Sequence, residues 1–400
     1  MDFTRDQLEG LRTPCFIFDE AELRRNFLDF DTALKASWSK GAHIAYSVKT
    51  NPFARVLDVA RECGCLAEVV SDDEYDLALS RGFAPDQIVF NGPVKGREWF
   101  AYALQKGSYA NLDSQRELRW VEELAPAAQG VLKVGVRVNI DLDSFIPGET
   151  ITGADKGRFG FSYEGGQVAE VISRLRATPN VQVSGLHMHV TTLSRSLRAY
   201  EVLAEHAVKV IQECCLADQL EYVDMGGGYY GGGPLNVGKY EAYAKVMSDV
   251  LRRACDPARV RLLVEPGGAV VCTPGYYVGR VVDAKDVLGH RFVVSELSRL
   301  NIDHEMRKTK YVHQLYTASG RTLPEQVLCG FTCMESDRLC KLYDEPELAE
   351  GDFVLIRNAG AYSMSFTPGF FIQNAPWVYV AGGDGFRLVR AGFDKLPPRE

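Results

Sequence analysis

Lys49 lies in the segment Ala45-Tyr46-Ser47-Val48-Lys49-Thr50-Asn51, at the end of an apolar run. A lysine at the mouth of a strand forms an imine with a carbonyl cofactor when burial or neighbours keep its amine partly neutral. Most strand-end lysines are simply solvated, so the reading rests on the company Lys49 keeps. His187 and His189, two apart, share one face of a strand. No third ligand with suitable spacing accompanies them, so no metal site is expected. His189 reads as a ring stacked on a cofactor, and His187 as a packing or hydrogen-bonding group. Glu265 could keep a pyridinium nitrogen protonated, which turns the ring into an electron sink; its bland alternative is a surface or helix-start acid. Gly226-Gly227-Gly228 would let backbone N–H groups approach an anion, although three glycines also make an ordinary flexible turn.

These residues need a scaffold that brings them to one face. Eight strand-like runs stand out: His43–Val48, Cys65–Val70, Gln87–Asn91, Ser108–Leu112, Leu132–Asn139, Val183–Val190, Glu221–Met225 and Arg261–Glu265. Helix-like stretches separate them, among them Pro52–Glu62, Asp73–Arg81, Gly96–Lys106, Gln115–Leu124, Gly166–Ala177, Ser196–Cys215 and Lys239–Cys255. Such alternation implies parallel βα units, since parallel strands need a crossover connection. Eight units over roughly 250 residues match a (β/α)8 barrel. Its functional rim lies where strands end, and there the chain places Lys49, Ser71 with Glu74, Asn91, Asp113 with Ser114, Arg137, the two histidines, the glycine run and Glu265.

Beyond Glu265 the pattern changes. Tyr276–Val287, Arg291–Leu297, Gln326–Cys333, Asp352–Arg357, Trp377–Ala381 and Arg387–Val389 read as strands without intervening helices, which implies a separate β domain. Cys15–Phe18 would add one more strand to it. The expected organisation is a barrel over 20–270 and a β domain built from 1–19 and 271–400. The polar, glycine-containing stretch Asp141–Gly157 is long for a loop in a compact domain, and loops of that kind are often lids.

Composition excludes other classes. Hydrophobic residues make up 46% and charged residues 24%, an ordinary soluble globular balance. The formal charge of −8 leaves no basic footprint for nucleic acid. No stretch reaches the ~18 consecutive apolar residues of a membrane span, and the first residues lack an apolar run of signal-peptide length. The 10 cysteines are therefore expected as free thiols in a cytoplasmic protein, and they lack the paired spacing of a zinc site.

The motifs occur in an order that resembles one family. They are Thr13-Pro14-Cys15-Phe16-Ile17-Phe18-Asp19, Tyr46-Ser47-Val48-Lys49-Thr50-Asn51, Gly185-Leu186-His187-Met188-His189-Val190, Asp224-Met225-Gly226-Gly227-Gly228 and Glu265-Pro266-Gly267. Gly330-Phe331-Thr332-Cys333 with Asp337, and Gly360-Ala361-Tyr362, complete the series. Over nearly its whole length the chain resembles the diaminopimelate/ornithine decarboxylase group of fold type III pyridoxal-phosphate enzymes, with an alanine-racemase-like barrel plus a β domain. The resemblance implies Lys49 as the Schiff-base lysine, His189 stacked on the pyridine ring and Glu265 against the ring nitrogen. It implies Gly226, Gly227 and Gly228 around the phosphate, with Thr192 in the place of a phosphate-binding serine and Tyr362 near the phosphate. Cys333 is similar to the cysteine that crosses a homodimer interface into the partner's site and helps protonate the intermediate.

The chain departs from that pattern twice. Glu265-Pro266-Gly267-Gly268 stands where the family usually reads Glu-Pro-Gly-Arg, so a bidentate phosphate contact is missing; Arg158 and Arg307 are the candidate substitutes. Met334 follows Cys333 where a carboxylate often reads the substrate's distal amine, with Glu335 one step later on what would be the opposite face of an extended segment. Arg158, Arg307, Glu335 and Asp337 are thus the candidate substrate contacts. The expected activity is decarboxylation of a small-molecule amino acid, such as a diamino acid or its N-acylated adduct, in biosynthesis or secondary metabolism. A carboxynorspermidine-type decarboxylase and an amino-acid racemase on the same barrel are the alternatives.

Overall fold

The short apolar runs form strands buried on both faces, which is why they lack a polar–apolar alternation. The computed structural model describes residues 1–39, 41–235, 238–303, 305–364, 375–383 and 385–392. The chain divides into two compact units, Arg24–Ala269 on one side and Met1–Leu23 with Val270–Glu400 on the other.

In the first unit the barrel strands are Ala42–Ser47, Leu66–Val69, Ile88–Phe90, Tyr109–Leu112, Leu132–Asn139, Val181–Met188, Tyr222–Asp224 and Arg261–Val264. Neighbours pair in parallel, and the ring closes where Arg261–Val264 lies against Ala42–Ser47 with Val264 opposite Ile44. Helices follow the strands, several capped by a serine in the connecting segment. Ser71 caps Asp72–Ser80, Ser114 caps Gln115–Leu124 and Ser196 caps Leu197–Glu213, each side chain accepting a first-turn N–H. The rim positions Ser71, Glu74 and Ser114 are thereby explained without chemistry: the serines satisfy orphan helix donors, and Glu74 accepts the Val70 N–H.

The stretch Asp141–Gly157 is not a free flap. It folds into short helical turns at Leu142–Ser144 and Gly153–Asp155 and is tied at its middle. Glu149 gives its carbonyl to the Leu193 N–H at 2.7 Å and both carboxylate oxygens to the Ser194 hydroxyl at 2.7 Å. Thr150 and Thr192 form a bridge beside it. The expectation of a lid gives way to a roof strapped to the loop that follows the sixth barrel strand.

In the second unit Cys15–Asp19 lies between Gly275–Val287, antiparallel, and Trp377–Gly382, parallel. Gly275–Val287 continues past a bulge at Val281/Asp283 to pair with His290–Ser295. Phe3, Leu8, Ile17, Tyr276, Phe353 and Leu355 pack in its core. Two strands here were not anticipated, His313–Tyr316 and Arg338–Pro346. Neither is a continuous apolar run, and His313–Tyr316 is half-buried throughout. The expected run Gln326–Cys333 is corrected as well: its strand is Thr322–Cys329, so Cys333, Met334 and Glu335 sit in the following turn. A strand-face argument therefore does not apply to Glu335. The helices Arg5–Glu9 and Glu20–Ser37 also went unread in the sequence. Among the described residues no helix is long and apolar enough to cross a membrane.

Candidate active site

Lys49 follows the first barrel strand in a 3-10 turn, Val48–Thr50. Its Nζ lies 2.9 Å from Glu68 Oε2, an acid 1% exposed in the second strand, while the lysine side chain is 41% exposed. Glu68 is held from two further sides, by the Ser47 hydroxyl at 2.7 Å and the Asn91 amide at 3.3 Å. Asn91, on the third strand's end, also donates to Glu265 Oε1 beyond the eighth strand. Asn111 donates to Asn91 Oδ1 at 2.8 Å, and the Tyr222 hydroxyl donates to Asn111 Oδ1 at 2.8 Å. One connected polar network therefore crosses the barrel from Lys49 to Glu265. Such networks hold side chains in place when every member is satisfied.

Glu265 is 5% exposed, and its Oε2 lies 3.6 Å from His187 Nε2. Burial alone would raise its pKa. His187 beside it, the contact with Asp224 and the charge of Lys49 outweigh it and hold the carboxylate well below the usual range. Asp224, at the end of the seventh strand, shows the opposite shift: burial, then the Glu265 charge, pushes it far above the ordinary carboxyl range.

His189 is lowered from 6.5 to about 3, first by burial and then by the Arg137 charge. The ring is therefore neutral. The Gly227 N–H donates to its Nδ1 at 3.1 Å, which leaves the proton on Nε2. His187 and His189 lie nearly parallel, 12° apart in plane with centroids at 6.3 Å.

The glycine run does something other than the sequence suggests. The Gly226 N–H is taken by Asp224 at 2.9 Å and the Gly227 N–H by His189. Gly226 and Gly227 are therefore corrected as phosphate donors; of the three, Gly228 has no N–H partner among the described residues. What the first two contribute is the lack of a side chain. A Cβ on Gly226, at φ +64°, would meet His189 at 2.5 Å, and one on Gly227 would meet the Glu265 carbonyl at 2.6 Å.

Beneath the strapped loop lies a cavity of about 630 Å³ that reaches His189 and Arg137. Arg137 pairs with Asp113 at 3.1 Å. Arg137 and Arg158 each stack on Phe159, at 4.7 and 4.1 Å from its ring centre. Arg158 is exposed and lines the cavity beside His189. Thr192, half-buried, lies at the strap.

The remaining candidates belong to the other unit. Cys333 is exposed, and Tyr362 is 44% exposed. Arg307 pairs with Glu305 at 3.1 Å, and Glu335, 93% exposed, pairs with Arg338 at 2.7 Å. Asp337 is corrected as a substrate contact. It is 2% exposed, and its carboxylate accepts from the Ser298 and Thr332 hydroxyls and from the Arg299 and Thr332 N–H groups. It organises the turn that carries Cys333. Sequence reading missed Glu68 and Asn111; the usable signal was an acid and an amide inside otherwise apolar parallel strands, where a polar group must be paired.

Comparison with known proteins identifies the family and the fold. Residues 20–272 match the family described as pyridoxal-dependent decarboxylase, pyridoxal binding domain. A diaminopimelate decarboxylase of Actinosynnema pretiosum is 30% identical over 390 residues, covering 94% of this chain and 86% of the relative. The crystal structure of a Methanocaldococcus jannaschii diaminopimelate decarboxylase superposes with a TM-score of 0.84 at 22% identity, over 98% of this chain and 94% of that one. That of Helicobacter pylori, complexed with L-lysine, gives 0.82 at 22% identity, over 97% and 96%. The closed barrel, the lysine at its first strand end and the matched family together make the chain a member of the pyridoxal-dependent decarboxylases, carboxy-lyases that use pyridoxal phosphate.

Proposed function

We propose that this enzyme decarboxylates a small-molecule amino acid, a diamino acid or its N-acylated adduct, in biosynthesis or secondary metabolism. The observation that carries the reading is the buried network joining Lys49, Glu68, Asn91 and Glu265. The donor set fits pyridoxal phosphate: an amine for its carbonyl, a carboxylate kept ionised for its ring nitrogen, and a neutral imidazole with a flat face. Bound there, the cofactor supplies a sink for the electron pair left when carbon dioxide departs.

The chain's own residues do the rest. Glu68 positions the Lys49 amine, which would hold the cofactor's carbonyl carbon and could move protons at the reacting carbon. Glu265 holds a proton at the ring nitrogen. His189 cannot take up a proton at neutral pH, so it adds no charge to the ring face. Thr192, the Gly228 N–H and Tyr362 are the proposed phosphate contacts, with Arg158, which lines the same cavity as His189, the proposed cation. Cys333, in a homodimer with shared sites, is the proposed proton donor to the partner's substrate. The named relatives are diaminopimelate decarboxylases, one complexed with L-lysine. Met334, in the position after Cys333, removes a carboxylate suited to a distal amine, which favours a substrate other than meso-diaminopimelate.

The test is carbon dioxide release from a panel of L-, D- and meso-diamino acids and their N-acylated adducts, read beside optical rotation. The purified protein should carry the visible absorbance of a lysine-bound cofactor, and Lys49→Ala should abolish both colour and turnover. A wild-type protein that takes up no cofactor, or racemises without releasing carbon dioxide, would end this reading.

A further inference from the structure

Three buried side chains converge at one point, His187, Asp224 and Glu265, with a ring nitrogen or carboxylate oxygen of each within 4.8 Å of the others. They are 1%, 0% and 5% exposed. One oxygen of each acid has a donor, Gly226 N–H on Asp224 Oδ1 and Asn91 on Glu265 Oε1. Among the described residues, Asp224 Oδ2 and both nitrogens of His187 have no hydrogen-bond partner. Orphaned buried polar atoms are rare and call for a reason. Here the reason is chemical. Two carboxylates offer each other acceptors only, and two negative charges side by side in a dry pocket repel.

We propose that Asp224 is a neutral carboxylic acid whose proton is donated to Glu265, which fixes Glu265 as the carboxylate that meets the ring nitrogen. This rests on the cofactor reading above only for what Glu265 faces; the acid–carboxylate pair itself does not need it. Asp224 is then a positioning residue. It orients one side of the reactive carboxylate while Asn91 donates to Oε1, and His187 Nε2 stands 3.6 Å from Oε2. The other titratable groups facing the trio are Glu68 and Lys49 from the first two strands, Arg137 and His189 from the fifth and sixth, and the Tyr222 and Tyr229 hydroxyls. A metal ion is the competing occupant. Zinc-like sites use four ligands with donors ~2 Å from the ion, whereas this cluster offers three and Asn91 already binds one of them.

The test compares Asp224→Asn with Asp224→Ala. Asparagine keeps an acceptor for Gly226 and a donor for Glu265 but cannot ionise. In difference infrared spectra of the cofactor-free protein, wild type minus Asp224→Asn should show loss of a carboxylic-acid carbonyl stretch; loss of a carboxylate band instead would overturn the proposal. In the loaded protein the lysine-bound absorbance should keep its pH profile in Asp224→Asn. In Asp224→Ala the profile should shift, with cofactor affinity down by about tenfold, the worth of one hydrogen bond to a charged group. An asparagine variant that behaves like the alanine variant would also refute the idea, as would one equivalent of tightly bound metal in the wild type. If Asp224→Asn does not fold, ¹³C-aspartate labelling reads the wild-type carboxyl directly. If no cofactor binds at all, the infrared result still decides Asp224, and only the proposed function falls.

Discussion

His189 shows how one backbone donor sets a side chain's chemistry. With Gly227 N–H on Nδ1 and a pKa lowered to about 3 by burial and then by Arg137, the ring is neutral at pH 7. Nitrogen-detected NMR should find no titration of His189 between pH 5 and 8. The stability consequence has a definite sign. The folded value lies below the ordinary 6.5, so in the unfolded chain His189 binds a proton as pH falls below 6.5 while in the native state it does not until about 3. Native stability should therefore fall with pH across that window. Thermal unfolding of His189→Gln should lose less stability than wild type on going from pH 7 to pH 4; an equal or larger loss would contradict the assignment.

Two contacts matter at the level of elements. Lys95 and Glu117, both fully buried, form an ion pair at 3.1 Å between the third and fourth βα units. Lys95 also donates to the Gly92 carbonyl, and Glu117 accepts the Asp113 N–H. Burial depresses the lysine and raises the acid, so each is tolerated as an ion only because of the other. Lys95→Met should cost about 3–5 kcal/mol by leaving Glu117 unpaired. Adding Glu117→Gln should return a large part of that loss, because glutamine still accepts the Asp113 N–H; denaturant unfolding of the single and double variants measures it. The second contact is the Glu149 strap. Glu149→Ala removes the acceptor of two Ser194 bonds, and the freed loop should open about 10–100-fold more often for ~1–3 kcal/mol lost. Faster amide exchange across 142–157 and 190–195, with the barrel strands unchanged, is the expected result.

At the scale of the whole molecule, the proposed shared-site homodimer makes a quantitative prediction. Lys49→Ala and Cys333→Ala each disable one half of a site drawn from two chains. Dissociating and remixing the two inactive variants should place both lesions in the same site of every mixed dimer and leave the other site intact. Half of the dimers would be mixed, so turnover should recover to about a quarter of wild type under random pairing of a closed two-fold dimer. No recovery, or a monomer by light scattering, would remove Cys333 from the partner's site.

The residues themselves determined the barrel. Eight apolar runs spaced by amphipathic segments have one economical solution, and the strand ends read from them lie within about two residues of those in the structure. Lys49, His189 and Glu265 were legible because strand ends in a barrel share a rim. His313–Tyr316 and Arg338–Pro346 were not, since a half-buried strand in a mixed sheet is defined by its partners rather than by its own pattern. Only tertiary structure could turn Asp141–Gly157 from a lid into a strapped roof, because the strap is a bond to Ser194. Likewise only the fold showed that Gly226 and Gly227 give their N–H groups to Asp224 and His189, and that Glu68 and Asn91 link Lys49 to Glu265. A side chain's type is written in the sequence; its partner across the barrel, and hence its protonation, depends on which strands close against each other.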